Sequence, residues 1–127
     1  MERAIVDIIE NDTAVDAILN KRIFPNTIPQ NELFPAIIYT RVITEPTDTK
    51  DGVSKLDSIT IDLDIFGIDY KILKDLAGKV KTAIDRFSGT KQSQVIEIII
   101  FADQRSTYDT EGEVYHITQT YKIRQKI

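Results

Sequence analysis

Residues 57–67, with the sequence Asp-Ser-Ile-Thr-Ile-Asp-Leu-Asp-Ile-Phe-Gly, carry the clearest pattern in the chain. Isoleucine or leucine stands at positions 59, 61, 63 and 65, and Thr60, Asp62 and Asp64 stand between them. Because successive side chains of a strand point to opposite faces of a sheet, this alternation predicts a strand with one buried and one solvent-facing side. The fold is therefore expected to rest on a sheet that is covered on one face.

A long helix is predicted directly after this strand. Apolar residues recur there at helical spacing, namely Ile72, Leu73, Leu76, Val80, Ala83, Ile84 and Phe87. Asp69 can accept hydrogen bonds from the free amides at a helix start, and Ser88-Gly89 is typical of a helix end. The segment predicts a helix of about 19 residues that packs on the apolar side of the sheet.

The N-terminal part of the chain predicts two short helices and an extended connection. Apolar stripes within residues 2–10 and 15–19 are separated by Asn11-Asp12-Thr13, and Thr13 and Asp16 have the spacing of a capping box. Residues 22–35 contain three prolines, which argue against both a helix and an interior strand.

Three further segments rich in β-branched and aromatic residues predict strands, at residues 36–43, 94–102 and 114–124. Residues 94–102 contain few polar side chains, so this strand is expected to be central and covered on both sides, by the helices and by a neighbouring subunit. Residues 44–55 are predicted as a loop and residues 103–113 as a polar turn. The expected fold class is α+β, with a mainly antiparallel sheet of about four strands, a long helix and a short N-terminal helical pair, in the order ααββαββ.

The composition narrows the possible functions. A chain of 127 residues predicts a single domain, residues 1–127. The absence of cysteine and the single histidine argue against disulfides, thiolate metal sites and histidine-based catalytic triads. A net charge of −4 argues against a surface that grips nucleic acid through its phosphates. No membrane-spanning run or signal peptide is evident, so a soluble intracellular protein is the expectation.

Two polar features, the aspartate pair and the single histidine, allow both a catalytic and a structural interpretation. Asp62 and Asp64 on one strand face, with Asp103, could hold a divalent cation in a metal-dependent hydrolase, but alternating aspartates are more typical of a solvated strand face. His116 lacks partners at a recognisable motif spacing and is expected to be a surface or interface residue. The five glycines form no phosphate-binding pattern. No catalytic residue, metal ligand or cofactor site is therefore predicted.

The sequence also contains more apolar strand surface than one helical layer is expected to cover. Twenty-two isoleucines stand against six leucines, and the excess includes Ile37, Tyr39, Ile43, Phe66 and Ile99. This surplus predicts burial against another copy or a partner. A small-ligand-binding domain stays open as an alternative if a deep apolar pocket lies between helix and sheet.

Short motifs follow one another early in the chain. They are Arg22-Ile23-Phe24-Pro25, then Ile28-Pro29-Gln30, then Phe34-Pro35-Ala36-Ile37-Ile38-Tyr39. This stretch resembles the tail completion proteins of long-tailed bacteriophages and prophages, also called tail terminators or tail-to-head joining proteins. The helical pair before Arg22, the strand that leads through Gly67 into a long helix, and the tyrosine-rich last strand match in the same order. The resemblance covers nearly the whole chain.

The resemblance implies a structural subunit without catalytic residues or cofactors. It implies a hexameric ring of this chain at the head-proximal end of the tail tube, which stops tube growth and joins tail to head. The implied partners are further copies of the chain, the tail tube protein and a head connector or completion protein, with DNA passing through the ring without specific binding. The implied location is the virion tail, after assembly in the host cytoplasm.

Residues 45–55 and 103–113 are the partner-contacting segments on this reading. The candidate contact residues are Glu45, Asp48, Lys50, Asp51, Lys55, Asp103, Arg105, Asp109, Glu111 and Glu113. Six copies at −4 each would carry a formal charge of −24, which would repel DNA from the lumen. Arg22 is expected to tie the helical pair to the proline-rich segment by pairing with a carboxylate. A head–tail adaptor or head-completion protein at the same junction remains the alternative, with the Asp62 and Asp64 hydrolase as a third.

Overall fold

The computed structural model describes residues 2–28, 33–49, 52–91 and 94–126. Along the chain lie α1 (Glu2–Glu10), α2 (Thr13–Leu19), β1 (Ile23–Pro25), β2 (Ala36–Thr49), β3 (Gly52–Gly67), α3 (Tyr70–Ile84), β4 (Gly89–Lys91), β5 (Gln94–Asp109) and β6 (Val114–Lys126). The strands form one sheet in the order β1-β2-β3-β6-β5-β4. β1 runs parallel to β2, and the other four pairings are antiparallel. In the described ranges, no helix is long and apolar enough to cross a membrane.

The predicted fold class is wrong in strand number, strand order and sheet type. The sheet has six strands and is mixed, and the elements follow one another as ααβββαβββ. The two missed strands, β1 and β4, have three residues each and lie at the two edges of the sheet. Three residues are too few to show an alternating pattern. Pro25 ends β1, where an edge strand tolerates its missing amide, so the prolines did not exclude a strand there.

The alternation in residues 57–67 is confirmed as the centre of the core. Ile59, Ile61, Leu63 and Ile65 are at most 1% exposed. α3 packs on this face against β3 and β6, and it buries Leu73, Leu76, Ala77, Val80 and Ile84. α1 and α2 pack in turn against α3. The molecule therefore has a helical layer on one face of the sheet, and no helix of the described residues packs on the other face.

The apolar surplus assigned to the strands is mostly internal. Ile37 and Ile99 are fully buried in the core, Tyr39 packs against it, and Phe66 is half-buried. The side chain of Ile43 lies outside the described part of the structure. Ile37 and Ile99 therefore do not form the expected surface for another copy, because they belong to the core beneath the helical layer.

The helix boundaries show which side chains stop and start each helix. Asp12, not Thr13, caps α2, because its carboxylate accepts a hydrogen bond from the Val15 amide at 3.0 Å. Asn20 ends α2 in the left-handed conformation, which asparagine tolerates. Asp69 caps α3 as predicted, but α3 has 15 residues and ends at Ile84 rather than near Ser88-Gly89.

Removal of the Asp69 cap gives a first prediction. The Asp69 carboxylate accepts hydrogen bonds from the amides of Lys71 and Ile72, at 3.0 and 3.3 Å. Asp69→Ala is therefore expected to lower the free energy of unfolding by about 1 kcal/mol in urea denaturation. Asp75→Ala, which removes only an exposed pair with Lys79, should change it by less than about 0.5 kcal/mol. Equal effects of the two substitutions would contradict the capping role.

The segments predicted as a loop and a turn are mostly strand. β2 continues to Thr49, which pairs with Gly52 in β3, so the predicted loop 44–55 is wrong. β5 continues to Asp109, which pairs with Val114, so the predicted turn 103–113 shrinks to residues 110–113. Polar and turn-forming residues misled the prediction because cross-strand hydrogen bonds join backbones and do not require apolar side chains.

β5 is also not a central strand. It lies next to the edge strand β4, and its Val95 and Ile100 are 43% and 38% exposed on the helix-free side. Within this chain the helices cover only the face of β5 that carries Ile96 and Ile99, and cover of the other face by a neighbouring subunit stays a prediction.

Candidate functional site

The helix-free face of the sheet carries a row of polar side chains paired across β3 and β6. Thr120 donates a hydrogen bond to Asp62 at 2.6 Å, and Thr118 donates one to Asp64 at 2.7 Å. The Nε2 atom of His116 lies 2.8 Å from the same Asp64 oxygen. The side chain of Asp64 is 24% exposed and that of His116 is 30% exposed. One oxygen of each aspartate therefore takes part in cross-strand contacts.

His116 is a packed surface residue. Its ring stacks on Phe66, with ring centroids 4.3 Å apart and an angle of 13° between the rings. Among the described residues, no group of three or more histidine, cysteine, aspartate or glutamate side chains is placed to hold a metal ion. This geometry agrees with the solvated-face interpretation of Asp62 and Asp64.

The hydrolase alternative has a direct test. One oxygen of Asp62 and one of Asp64 accept hydrogen bonds from threonines, and the described residues around them form no group of three metal-ligating side chains. Titration of the protein with magnesium or manganese chloride in a calorimeter is expected to give no heat of specific binding. The Asp62→Ala/Asp64→Ala double variant serves as the control. Saturable heat in the wild type that is lost in the double variant would contradict this expectation.

Exposed apolar side chains gather at one end of the sheet, where β3 ends at Gly67 and β2 begins at Ala36. We call this surface the apolar end. It comprises Phe34, Ile68, Tyr70, Ile72 and Tyr108, which are 36%, 68%, 37%, 47% and 47% exposed. Two cavities of about 300 and 320 Å³ open on either side of Phe34. One lies against Leu73 at the start of α3, and the other lies against His116 and Tyr108.

The sequence interpretation missed this surface. It assigned Ile72 to the buried stripe of the long helix, but Ile72 is exposed and Leu73 is buried. A signal existed in the sequence, because Tyr70 and Ile72 lie about 160° apart around a helix and cannot both fall on the side that buries Leu73 and Leu76. Neither cavity is the deep apolar pocket between helix and sheet on which the small-ligand alternative depends, since both open at the surface beside Phe34.

The candidate contact residues fall on two hairpins at opposite ends of β3. β3 has 16 residues, or about 50 Å of extended chain. At one end, β2 and β3 pair up to Thr49 and Gly52, past the last pairing of β3 with β6 at Leu56. At the other end, β5 and β6 join through residues 110–113, beside Gly67. The sheet therefore presents one hairpin in each direction.

The structure sorts the ten candidate residues between these hairpins. The first hairpin contains Glu45 and Asp48 in β2 and Lys55 in β3, whose side chains are not described, and Lys50 and Asp51 lie outside the described residues. The second hairpin exposes Asp103, Arg105, Asp109, Glu111 and Glu113. The Asp109 carboxylate accepts a hydrogen bond from the Glu111 amide at 3.1 Å and so shapes the turn. The two groups of candidates do not come together in one site.

Arg22 ties the N-terminal helices to the segment before β2, but through carbonyl groups. Its Nε donates a hydrogen bond to the Pro35 carbonyl at 2.8 Å, and its terminal nitrogen donates one to the Ile18 carbonyl at 3.3 Å. The prediction of a carboxylate partner is therefore wrong, because the Arg22 guanidinium donates its hydrogen bonds to the backbone carbonyls of Ile18 and Pro35. The backbone carbonyl of Arg22 also accepts a hydrogen bond from the Ile37 amide, beside the parallel pairing of β1 with β2.

Comparison with known proteins gives the family. A family model described as "Tail completion protein gp17" matches residues 3–126. The chain belongs to the tail completion protein family. This confirms the resemblance drawn from the motifs around Arg22 and Pro35. As a member of this family, the chain is a phage tail assembly protein.

The fold has a known counterpart. A chain in the solved structure "Virion of native gene transfer agent (GTA) particle" superposes with a TM-score of 0.81 at 11% sequence identity, covering 100% of this chain and 95% of that chain. At this identity the likeness establishes a shared fold. No curated protein matches the sequence. The tail completion family is one of structural proteins, which agrees with the prediction that the chain is not an enzyme.

Proposed function

We propose that this tail completion protein forms a ring on the head-proximal end of the tail tube, stops tube growth there and joins the tail to the head. Membership of the family carries this proposal, and the two oppositely directed hairpins support it. A subunit at a junction needs one surface toward the tube and another toward the head. The ring contains six copies of the chain, and its partners are the tube protein and a head connector or completion protein.

The charge of the protein suits passage of DNA. Each copy carries −4, so six copies around a channel repel the phosphate backbone and leave DNA without a binding surface. The protein is assembled into virions in the host cytoplasm on this account. Tight, salt-sensitive binding of duplex DNA to assembled rings would argue against it.

Sedimentation with separated partners tests the proposed function. The protein is mixed in one tube with purified tail tubes and in another with purified tailless heads. Cosedimentation with tail tubes, with rings at one end in negative stain, supports the terminator role. Binding to heads alone, without binding to tubes, would instead assign the head–tail adaptor or head-completion role.

Charge reversal in one hairpin should affect one partner only. Glu111→Lys/Glu113→Lys changes four units of charge in the exposed turn between β5 and β6. We expect it to weaken binding to either tubes or heads at least tenfold while binding to the other stays within twofold, because the hairpins point in opposite directions. Lys71→Glu/Lys74→Glu, on the exposed side of α3, is the matched control. Equal loss of binding to both partners would contradict the assignment of one partner to each hairpin.

A further inference from the structure

On each side of the sheet, part of a long strand has no neighbouring strand among the described residues. β1 covers β2 only from Ile37 to Tyr39, so the outer edge of β2 has no strand neighbour from residue 40 onward among the described residues. β4 covers β5 only from Gln94 to Ile96. Open strand edges present unpaired amide and carbonyl groups, which are templates for pairing with another chain.

Beyond β4, residues 85–87 cover the next part of the outer edge of β5. The Arg86 amide donates a hydrogen bond to the Ile99 carbonyl at 2.7 Å, and the Ile99 amide donates one to the Phe87 carbonyl at 3.0 Å. The Phe101 amide donates a hydrogen bond to the Asp85 carboxylate at 2.9 Å. The segment after α3 thus closes the edge up to Phe101. Residues 103–109 remain exposed and have no strand partner on that side.

We propose that copies of this chain join through these edges, with residues 103–109 of one copy pairing with residues 40–45 of the next in a continuous antiparallel sheet. β2 and β5 run in opposite directions, since β2–β3, β3–β6 and β5–β6 are all antiparallel. The contact is therefore antiparallel when copies follow one another around a ring. It is a heterologous contact, which generates rings when the rotation closes. The proposal rests on the ring of the proposed function and names its contact.

The charges along the two edges suit one register. In the register that pairs Thr107 with position 43 of the next copy, Arg105 pairs with position 45, which is a glutamate in the sequence. Both positions are in phase with the helix-free face, because Arg105 pairs with Thr118 and Glu45 pairs with Ser58. One irregularity of β2, between Arg41 and Ile43, precedes this stretch. Opposite charges facing across strands stabilise a pairing and set its register. A second irregularity, after Pro46, limits the edge on the other side.

The geometry of this register is compatible with closure. Thr107 lies level with Phe66 of β3 through His116, and Ile43 lies level with Thr60, six residues farther along β3. Each copy therefore shifts by about 20 Å along the strands at ~3.4 Å per residue, over four strand spacings that span about 19 Å. These two lengths give a strand tilt of about 45°, at the upper end of the range of closed barrels.

Closure of the sheet also orients its faces. The helical layer takes more room than the bare face, so it lies outside, as in barrels whose strands are surrounded by helices. The helix-free face then lines the channel. The charged residues described on or beside this face are Asp62, Asp64, Glu97, Asp103, Arg105, Asp109, Lys122 and Arg124. Acidic residues outnumber basic ones, which fits a channel that DNA passes without being held.

Introduced cysteines test the pairing without background, because the chain contains none. Thr107→Cys is combined in turn with Val42→Cys, Ile43→Cys or Thr44→Cys, and rings assembled on tail tubes are oxidised. Facing residues in antiparallel strands lie about 4.5–5.5 Å apart, within reach of a disulfide. At least one combination is expected to give covalent oligomers larger than a dimer in non-reducing gels. Each single variant is expected to stay monomeric.

Two outcomes would overturn the edge pairing while the proposed function stands. One is rings that form normally but give no crosslink in any of the three combinations. The other is dimers from Thr107→Cys alone, which would show β5 pairing with β5. Thr107→Cys/Lys74→Cys, with the second thiol on the exposed side of α3, is the matched control and should not crosslink. Failure of the wild type to form rings on tubes would overturn the proposed function and the pairing with it.

Hydrogen exchange of the wild-type protein tests the same pairing without any substitution. Amides in residues 103–109 and 40–45 should exchange at least tenfold more slowly in tube-bound rings than in the free protein. Amides in α3 should change by less than twofold. Unchanged exchange at both edges in assembled rings would overturn the pairing.

Discussion

Gln119→Leu is expected to lower the free energy of unfolding by about 2–3 kcal/mol, although it places an apolar side chain in the core. Gln119 is fully buried and holds a hydrogen-bond network between sheet and helix. Its Nε2 donates to the Ala77 carbonyl and to the Gln104 side chain, both at 2.9 Å. Its Oε1 accepts the Tyr121 hydroxyl at 2.9 Å. Leucine would leave that buried hydroxyl without a partner, and urea denaturation measures the loss.

The Gln119→Leu/Tyr121→Phe double variant is the control for this network. Removal of both polar groups leaves no unpaired hydroxyl, so the double variant should lose less stability than the sum of the two single variants, by at least about 1 kcal/mol. Strictly additive effects, or a neutral Gln119→Leu, would contradict the network as described.

Alkaline pH is expected to destabilise the protein through Tyr121. Burial raises the pKa of the Tyr121 phenol well above its ordinary value of 10.0, and the nearby negative charge of Asp85 raises this pKa further. The unfolded chain releases this proton at the ordinary pKa, so above pH 10 the folded state holds more protons than the unfolded state. The free energy of unfolding therefore falls as pH rises, by up to ~1.4 kcal/mol per pH unit from this group.

Urea denaturation between pH 9 and pH 12 measures this effect. Tyr121→Phe should remove part of the decline, so that its stability depends less steeply on pH than that of the wild type. Tyr108→Phe, at a side chain that is 47% exposed, should decline in parallel with the wild type. Parallel curves for the wild type and Tyr121→Phe would contradict the buried phenol as the cause.

The core could be predicted from the sequence because its pattern is strong and long. The alternation from Ile59 to Ile65 identified a half-buried strand, and the helical spacing from Leu73 to Ile84 identified the helix that covers it. Asp69 was predicted as a cap because its position before an apolar run has a simple hydrogen-bond function. Many residues of these elements are buried on one side, so the local sequence pattern and the tertiary structure agree.

The edges and hairpins could not be predicted in the same way. β1 and β4 are three residues long, and residues 44–49 and 103–109 pair through their backbones with polar side chains. Side-chain periodicity carries no information about such pairing. Ile72 was placed in the core because a window of helical spacing tolerates one extra apolar position, and only the packing of α3 shows that it faces outward.

The ring at the tube end is tested most directly by the mass of what the protein forms there. The purified chain is measured by native mass spectrometry alone and after incubation with tail tubes, and the tubes are then imaged in negative stain. We expect six copies for each tube, seated as a ring at one end, whatever the state of the free protein. A protein that stays monomeric in the presence of tubes and never occupies their ends would contradict the account.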